Sequence, residues 1–284
     1  FGWIDFIDDP EVSAILIKTV TEWGQAKGMT GIHGPLGFTD MDPEGMMIEG
    51  FEEISSLSAI YNYPYYNDHM QRLGFKKATD WVQFEIKVPE VIPEKVERMT
   101  AVVLNKYDLH LLMPRNAKEI YPYAPKMFTM YNDAFNDLYG FTALTKKQMD
   151  YYTRLYFGFI RAEFVSIVLD AKDDVVGFGI TMPSISRALQ KAGGSLFPFG
   201  FYHILRALRH NDIIHMYLVG VRPDYQGKGL LALVYHELTK AYIAAGMKLA
   251  RTHPQLEENH RAVSIWKNYD GRVNIRRRCW IKEI

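Results

Sequence analysis

Residues 221–242, "VRPDYQGKGLLALVYHELTKAY", join a strand-like run to a helix-like run through a turn that carries Gly227 and Gly229. Glycine lets the backbone come close to a ligand. The start of the following helix offers unpaired amide N–H groups at the positive end of its dipole. Gln226 adds a donor and Lys228 a charge. Such a turn suits a pyrophosphate; the plain alternative is a strand-to-helix connection that binds nothing. Spacing excludes two common phosphate turns. A P-loop needs Gly, four residues and then Gly-Lys-Ser/Thr, which "GKGLLA" lacks. A dinucleotide fingerprint needs G-x-G-x-x-G, and no third Gly follows.

The elements that must hold this turn are legible around it. "DIIHMYLVGV" predicts a strand, "GLLALVYHELTKAYIAAG" a helix, "KLARTHPQ" a strand, "NHRAVSIWKNY" a helix and "NIRRRCWIKEI" a last strand. Upstream, "AEFVSIVLDAKDDVVGFGITMPS" predicts an antiparallel hairpin over 163–182, followed by an aromatic-rich helical insertion to residue 210. Helical stretches are expected over about 116–138 and 145–160, with Pro122 and Pro125 delaying or kinking the first. "PEKVERMTAVVLNKY" predicts a helix and "DLHLLMP" an extended segment. At the start, "FGWIDFI" predicts a strand. A helix follows the acid–proline pair at 8–10 and stops at Gly28. "MTGIHG" is a short strand, "GPLGFTDMDPEG" a loop, "PYYNDHMQRL" a helix ending at Gly74, and "ATDWVQFEIKV" a strand. Pro89 and Pro93 in "KVPEVIPEKVER" mark a boundary near residue 90. The fold class is mixed α/β: two units, 1–90 and 91–284, each a mixed, mostly antiparallel sheet flanked by helices.

The 284 residues, with 48% hydrophobic and 23% charged, are globular in composition. No run reaches the about 18 apolar residues of a membrane span, and no segment reads as a signal peptide. The abrupt start at Phe1 predicts a trimmed protein whose first unit lacks its opening strands. A lone cysteine, Cys279, excludes an intramolecular disulfide and predicts a buried thiol in a reducing, cytoplasmic setting. No metal site is expected. Net charge is zero, but residues 1–99 hold 17 acidic against 8 basic residues, leaving 16 acidic and 25 basic for the rest. The two readings are domain docking by opposite charge and attraction of an anionic ligand by the second half. No nucleic-acid-binding motif accompanies the basic half.

The turn resembles the acyl-CoA site of the GCN5-related N-acetyltransferase (GNAT) superfamily. Its signature, Q/R-x-x-G-x-G/A after a V-x-P strand end, matches here at Val221, Pro223, Gln226 and Gly229, with Leu231 where Gly or Ala is usual. A second family stretch, N-x-x-A-x-x-L-Y, is similar to "NHRAVSIW", with Asn259, Ala262, Ile265 and Trp266. The likeness covers residues 215–284 well and 101–284 by order of elements. It implies a splayed strand pair, with Val219, Gly220 and Val221 holding an acyl carbonyl. It implies a pyrophosphate on the amides of Gly227, Lys228, Gly229, Leu230 and Leu231, with Gln226 assisting. Asn259 then contacts the CoA arm, or simply caps its helix.

Part of the family uses a Glu general base at the position of His215. Imidazole titrates in a useful range, so His215 is either that base or a buried core residue. The usual Tyr proton donor is replaced by Trp266, whose indole cannot supply the proton. Tyr217 and Tyr269 are the alternatives, each also readable as packing. Arg276, Arg277 and Arg278 either protect an edge strand or guide the anionic cofactor. The insertion at 193–205 is a lid, an apolar wall for an acceptor or a longer acyl chain, or a weak membrane-surface element.

"MQRLGFKKATDWVQFEI" and the opening strand–helix resemble parts of the same family, but without a cofactor turn. The first unit therefore resembles a degenerate copy. "GPLGFTDMDPEGMMIEGF" resembles a segment of tandem GNAT-like bacterial proteins. With "YNYPYY", it lines an acceptor cleft or simply forms turns. The implied activity is acyl transfer, acetyl from acetyl-CoA first or another acyl-CoA, to a small-molecule or peptide amine. The alternatives are an inactive binding or scaffold protein, and a transferase of larger acyl or aminoacyl groups.

Overall fold

A computed structural model describes residues 1–156 and 160–284. Helix α1 (Pro10–Ala26) begins where the acid–proline pair directs. The Asp9 side chain accepts the Glu11 amide, and Gly28 ends the helix at φ 74°. Then follow β1 (Gly31–Gly34), β2 (Met46–Glu49), α2 (Tyr65–Arg72), β3 (Lys76–Lys87), α3 (Glu94–Lys106) and β4 (His110–Leu112). Helices α4 (Ala117–Ile120), α5 (Ala124–Phe135) and α6 (Lys146–Tyr156) lead to the hairpin β5 (Val165–Leu169) and β6 (Val175–Pro183). The chain continues through α7 (Ser186–Lys191), α8 (Gly200–Arg209), β7 (Ile213–Val221), α9 (Leu230–Ala244) and β8 (Leu249–Arg251). It closes with β9 (Gln255–Leu256), α10 (His260–Val263) and β10 (Gly271–Glu283).

Several elements depart from the sequence pattern for identifiable reasons. "FGWIDFI" is not a strand: Trp3 sits at φ 46°, which breaks an extended run, and Phe1 makes only isolated backbone bonds to His33 and Leu36. Strand β2 directly follows the loop expected over 34–45, at residues given no element in the sequence; Met46 and Met47 are buried and pair with Arg278 and Arg277 of β10. The stretch 116–138 breaks into α4, a 3₁₀ turn at Tyr121–Tyr123 and α5, as its prolines require. Helix α6 ends at Tyr156, and residues 157–159 of the expected 145–160 helix lie outside the described residues. "KLARTHPQ" gives two short strands around Pro254. The last predicted helix is one α turn continued as 3₁₀ over Ser264–Asn268.

The chain divides into two compact units. The first comprises 1–85, 138–142 and 254–284; the second comprises 86–137 and 143–253. The first break lies close to the proline-marked boundary near 90. The C-terminal segment corrects the expected 91–284 unit: residues 254–284 belong with the first unit, because β10 pairs antiparallel with β1 and β2. Trp280 of β10 packs in one core with Phe6, Ile17, Ile32, Met70 and Phe75, and Cys279 packs against Trp81. Within this unit β10 lies between β1 and β3, and β9 pairs antiparallel with β3.

In the second unit β4, β5, β6 and β7 are successive antiparallel neighbours, and β8 joins β7 in parallel. The sheet is thus mixed and mostly antiparallel. Helix α9 lies on one face. A Cβ at Gly179 would stand 2.7 Å from Leu238 and 2.9 Å from Val234, so glycine there permits the helix's close approach. Helix α5 lies on the other face, with Met130 near Gly220.

Candidate functional site

Strand β7 is held unequally on its two sides. Its ladder to β6 runs from Ile214↔Pro183 to Val221↔Gly177. Its parallel ladder to β8 comprises only Ile213↔Leu249, Ile214↔Ala250 and His215↔Arg251. Among the described residues, no strand pairs with that edge of β7 beyond His215. Beyond His215, the backbone groups of β7 that point away from β6 have no strand partner among the described residues, and the Val221 carbonyl accepts from the Gln226 side chain. Val219, Gly220 and Val221 lie on this stretch.

The ladder also slips by one residue. Ile180 pairs with Leu218 and Thr181 with Met216, so Tyr217 is the extra residue of a β-bulge. A bulge re-aims its side chain. Here it leaves the Tyr217 and His215 rings 6.0 Å apart at 67°. His215 is 2% exposed, and neither ring nitrogen finds a partner among the described residues. Burial first, and then the positive charges of Arg251 and His253, press its pKa down to about 3. The Tyr217 hydroxyl is likewise buried without a partner, and burial, followed by Tyr156, raises its pKa.

The turn follows directly. Pro223–Tyr225 make one 3₁₀ turn, and the Gln226 and Lys228 amides donate back to Pro223 and Tyr225. Gly227 and Gly229 take φ 75° and 89°, a region closed to most side chains. Gly229 is the N-cap of α9 and supplies no capping side chain; the first helical bond is Leu233 N–H to the Gly229 carbonyl at 3.2 Å. The amides of Gly227, Gly229, Leu230, Leu231 and Ala232 thus have no acceptor among the described residues. Leu230 is buried, Leu231 half-buried and Ala232 exposed.

The side chains around the turn are set by contacts remote in sequence. The Gln226 side chain donates to the Val221 carbonyl at 3.4 Å and so braces the turn from within. The Lys228 ammonium lies 4.9 Å from the Tyr225 ring centre and 5.3 Å from that of Tyr107, at the C-terminal end of α3. It forms no ion pair among the described residues. Arg222 is committed to Asp224 at 2.7 Å and Asp170 at 3.3 Å. Val103 of α3 packs behind the turn; a Cβ on Gly229 would stand 3.0 Å from it. Tyr107 and Val103 lie more than a hundred residues upstream in the chain, and nothing in their local pattern marks them.

Asn259 and Tyr269 belong to the first compact unit. Asn259 caps α10 through the Ala262 amide at 3.3 Å. Trp266 donates to the Gln255 side chain at 3.0 Å and packs beside Tyr269 at 5.6 Å. Burial raises the Tyr269 phenol. The arginine run is also accounted for there. β10 is an interior strand, not the expected edge. Arg278 forks onto Asp80 at 2.8 and 3.0 Å, Arg276 meets Glu257 at 3.0 Å, and buried Arg277 donates to the Ile60 carbonyl at 2.7 Å. Arg276 and Arg278 are thus ion-paired within the unit, whereas Arg277 is held by neutral acceptors, and burial lowers its pKa to about 10. His215, Tyr217 and residues 219–221 lie along β7, and residues 226–231 form the turn that follows it, all in the second unit.

No family model matches the chain. Protein YghO of Escherichia coli (strain K12) is 25% identical over 237 residues, or 80% of this chain; the chain spans only 58% of that relative's length. A bacterial ceramide synthase of Caulobacter vibrioides is 24% identical over 283 residues, covering 95% of this chain and 71% of that protein. Among solved structures, a GCN5-related N-acetyltransferase from Sphaerobacter thermophilus superposes with a TM-score of 0.52 at 12% identity, covering 96% of this chain and 68% of that one. The GCN5-related glucosamine N-acetyltransferase region of a fungal multi-domain β-N-acetylglucosaminidase superposes with a TM-score of 0.55 at 9% identity, covering 94% and 27%. The chain has the GNAT fold. No described helix is long and apolar enough to cross a membrane.

Proposed function

We propose that the second unit binds an acyl-CoA and that the protein transfers the acyl group to an amine. One observation carries this reading: β7 parts from β8 after His215 and runs directly into a glycine-capped helix start with open amides. Such a start is an anion site by its donors and its dipole. The pyrophosphate of CoA fits the amides of Gly227, Gly229, Leu230 and Leu231, with the unpaired charge of Lys228 beside them. The open edge of β7 at Val219–Val221 supplies backbone donors for an acyl carbonyl.

CoA would supply a thioester-activated acyl group there. Tyr217, kept protonated by its raised pKa, holds a proton for the departing sulfur. His215 is neutral at ordinary pH. It offers one ring nitrogen as acceptor to an amine N–H, but its low basicity suits orientation better than proton abstraction. Asn259 and Tyr269 have caps and packing as their supported roles.

A second reading concerns the acyl group. A ceramide is a fatty amide of a lipid amine, and the relative with that name aligns over 95% of this chain. This favours a long acyl chain and a lipid amine over acetyl transfer. Titration calorimetry with acetyl-CoA, palmitoyl-CoA and free CoA tests both points. Saturable binding of free CoA supports the turn as the site, and tighter binding of palmitoyl-CoA than of acetyl-CoA supports the longer chain. No heat and no thermal shift with any of the three at millimolar concentration would remove the proposal.

A further inference from the structure

The segment between β6 and β7 exposes apolar surface that the acyl-transfer reading does not use. Helix α7 ends at Lys191, Gly193 and Gly194 turn the chain at positive φ, and α8 runs back from Gly200. Phe197 and Phe199, in the connecting loop, are 77% and 72% exposed, and Leu196 is exposed beside them. On α8, Phe201 and Leu205 lie four residues apart and form one exposed stripe. The rings of Phe197 and Phe201 are 6.3 Å apart, so loop and helix make one continuous patch. Tyr202 begins the adjacent stripe, which continues through Arg206 and Arg209.

The charge carried by this segment itself has one sign. Residues 175–211 contain no Asp or Glu. Arg187, Lys191, Arg206 and Arg209 are all exposed, and none forms an ion pair among the described residues. Aromatic and leucine side chains flanked by unneutralised arginine and lysine are the composition of a helix that lies in a lipid interface. Long basic side chains there keep their heads at phosphate level while their stems cover apolar surface. A second copy of the chain is a poor occupant. A two-fold contact sets the same patch against itself, which would bring eight cations together with no acid from the segment between them.

We propose that the α7–α8 hairpin docks the protein peripherally on an anionic phospholipid bilayer, with the 196–205 aromatics at the acyl boundary and the four cations among the headgroups. This goes beyond the acyl-CoA site and does not depend on it. Vesicles carry no CoA, so failure of one proposal leaves the other standing.

The test is co-sedimentation of the protein with vesicles of phosphatidylglycerol mixed with phosphatidylcholine, and with vesicles of phosphatidylcholine alone. Binding is expected to the mixed vesicles and to weaken as salt rises. The double variant Arg206→Gln/Arg209→Gln should lose about 30-fold in partitioning to anionic vesicles. The pair Phe197→Ser/Phe199→Ser should lose about tenfold or more. Phe197→Trp keeps the patch apolar, so it should still bind and shift its fluorescence to the blue on vesicles. No binding by the wild type, equal binding to both vesicle types, or a fluorescence of Phe197→Trp unmoved by vesicles overturns the proposal. So does a dimer in sedimentation velocity that the Phe pair abolishes without any vesicle binding.

Discussion

The helices α1 and α9, one in each compact unit, begin in opposite ways. At α1 the Asp9 carboxylate accepts the Glu11 amide, Pro10 has no N–H to offer, and Glu11 places a second acid in the first turn. Asp8 adds a further acid, paired with His69 at 2.9 Å. At α9 the cap is Gly229, the first turn holds no acid, and Lys228 precedes it. Capping and anion binding draw on the same amide donors. A helix start that satisfies itself with a carboxylate cannot hold a phosphate. One left open forgoes about 1 kcal/mol of capping stabilisation and keeps its donors for a ligand. The proposed anion site lies in the second unit because α9 has an uncapped, glycine-flanked start there.

The largest expected effect comes from making α9 resemble α1. Gly229→Asp sets a carboxylate beside the open amides and imposes a side chain on a backbone at φ 89°, and should weaken CoA binding about 100-fold or more in calorimetry. A circular dichroism melt checks that the chain still folds, since the new Cβ must displace Val103 by a few tenths of an ångström. Retained affinity would break the comparison.

The units should also respond to acid and base in opposite senses. His215 in the second unit has its pKa pressed to about 3 by burial. Between about pH 6.5 and 3 the unfolded chain binds a proton that the folded chain refuses, so this contribution is present above 6.5 and lost as pH falls. Glu44 in the first unit is raised to about 9, by burial first and then by Asp40 and Asp42. Between about pH 4.5 and 9 the unfolded chain releases a proton that the folded chain keeps, so this contribution is lost as pH rises. Each slope is at most about 1.4 kcal/mol per pH unit. His215→Asn should flatten the acid side of a stability–pH curve, and Glu44→Gln the alkaline side. Unchanged curves would show that neither environment is as dry as its burial indicates.

Lys228→Ala should cost about tenfold in CoA affinity, less at high salt, because it removes one charge from beside the open amides. An equal loss at low and high salt would mean that the lysine acts through its packing on Tyr107 and Tyr225. The smallest effect is the mirror control. Asp9→Ala should lower stability by about 1 kcal/mol and leave CoA affinity unchanged.

The turn was legible in the sequence because its physics is local. Two glycines, a strand before and a helix after fix the backbone within a dozen residues. The hairpin at β5 and β6, the caps of α1 and the proline breaks near 122 were legible for the same reason. What escaped depends on partners distant in the chain. β2 is four residues long and becomes a strand only by pairing with β10, more than two hundred residues later. The ion pairs of Arg276 with Glu257 and of Arg278 with Asp80 likewise join residues about twenty and two hundred positions apart. "FGWIDFI" alternates like a strand, but one residue at positive φ outweighs the pattern. At the site, the position of His215 was readable. Its closeness to Tyr217 follows from strand alternation, but its burial without a partner depends on neighbours distant in the chain.

Titration of free CoA into three proteins tests the central claim most directly: the wild type, Gly229→Asp and Asp9→Ala. The account predicts one saturable site in the wild type, kept in Asp9→Ala and lost in Gly229→Asp with the fold intact. Equal affinity in all three, or none in the wild type, would contradict it.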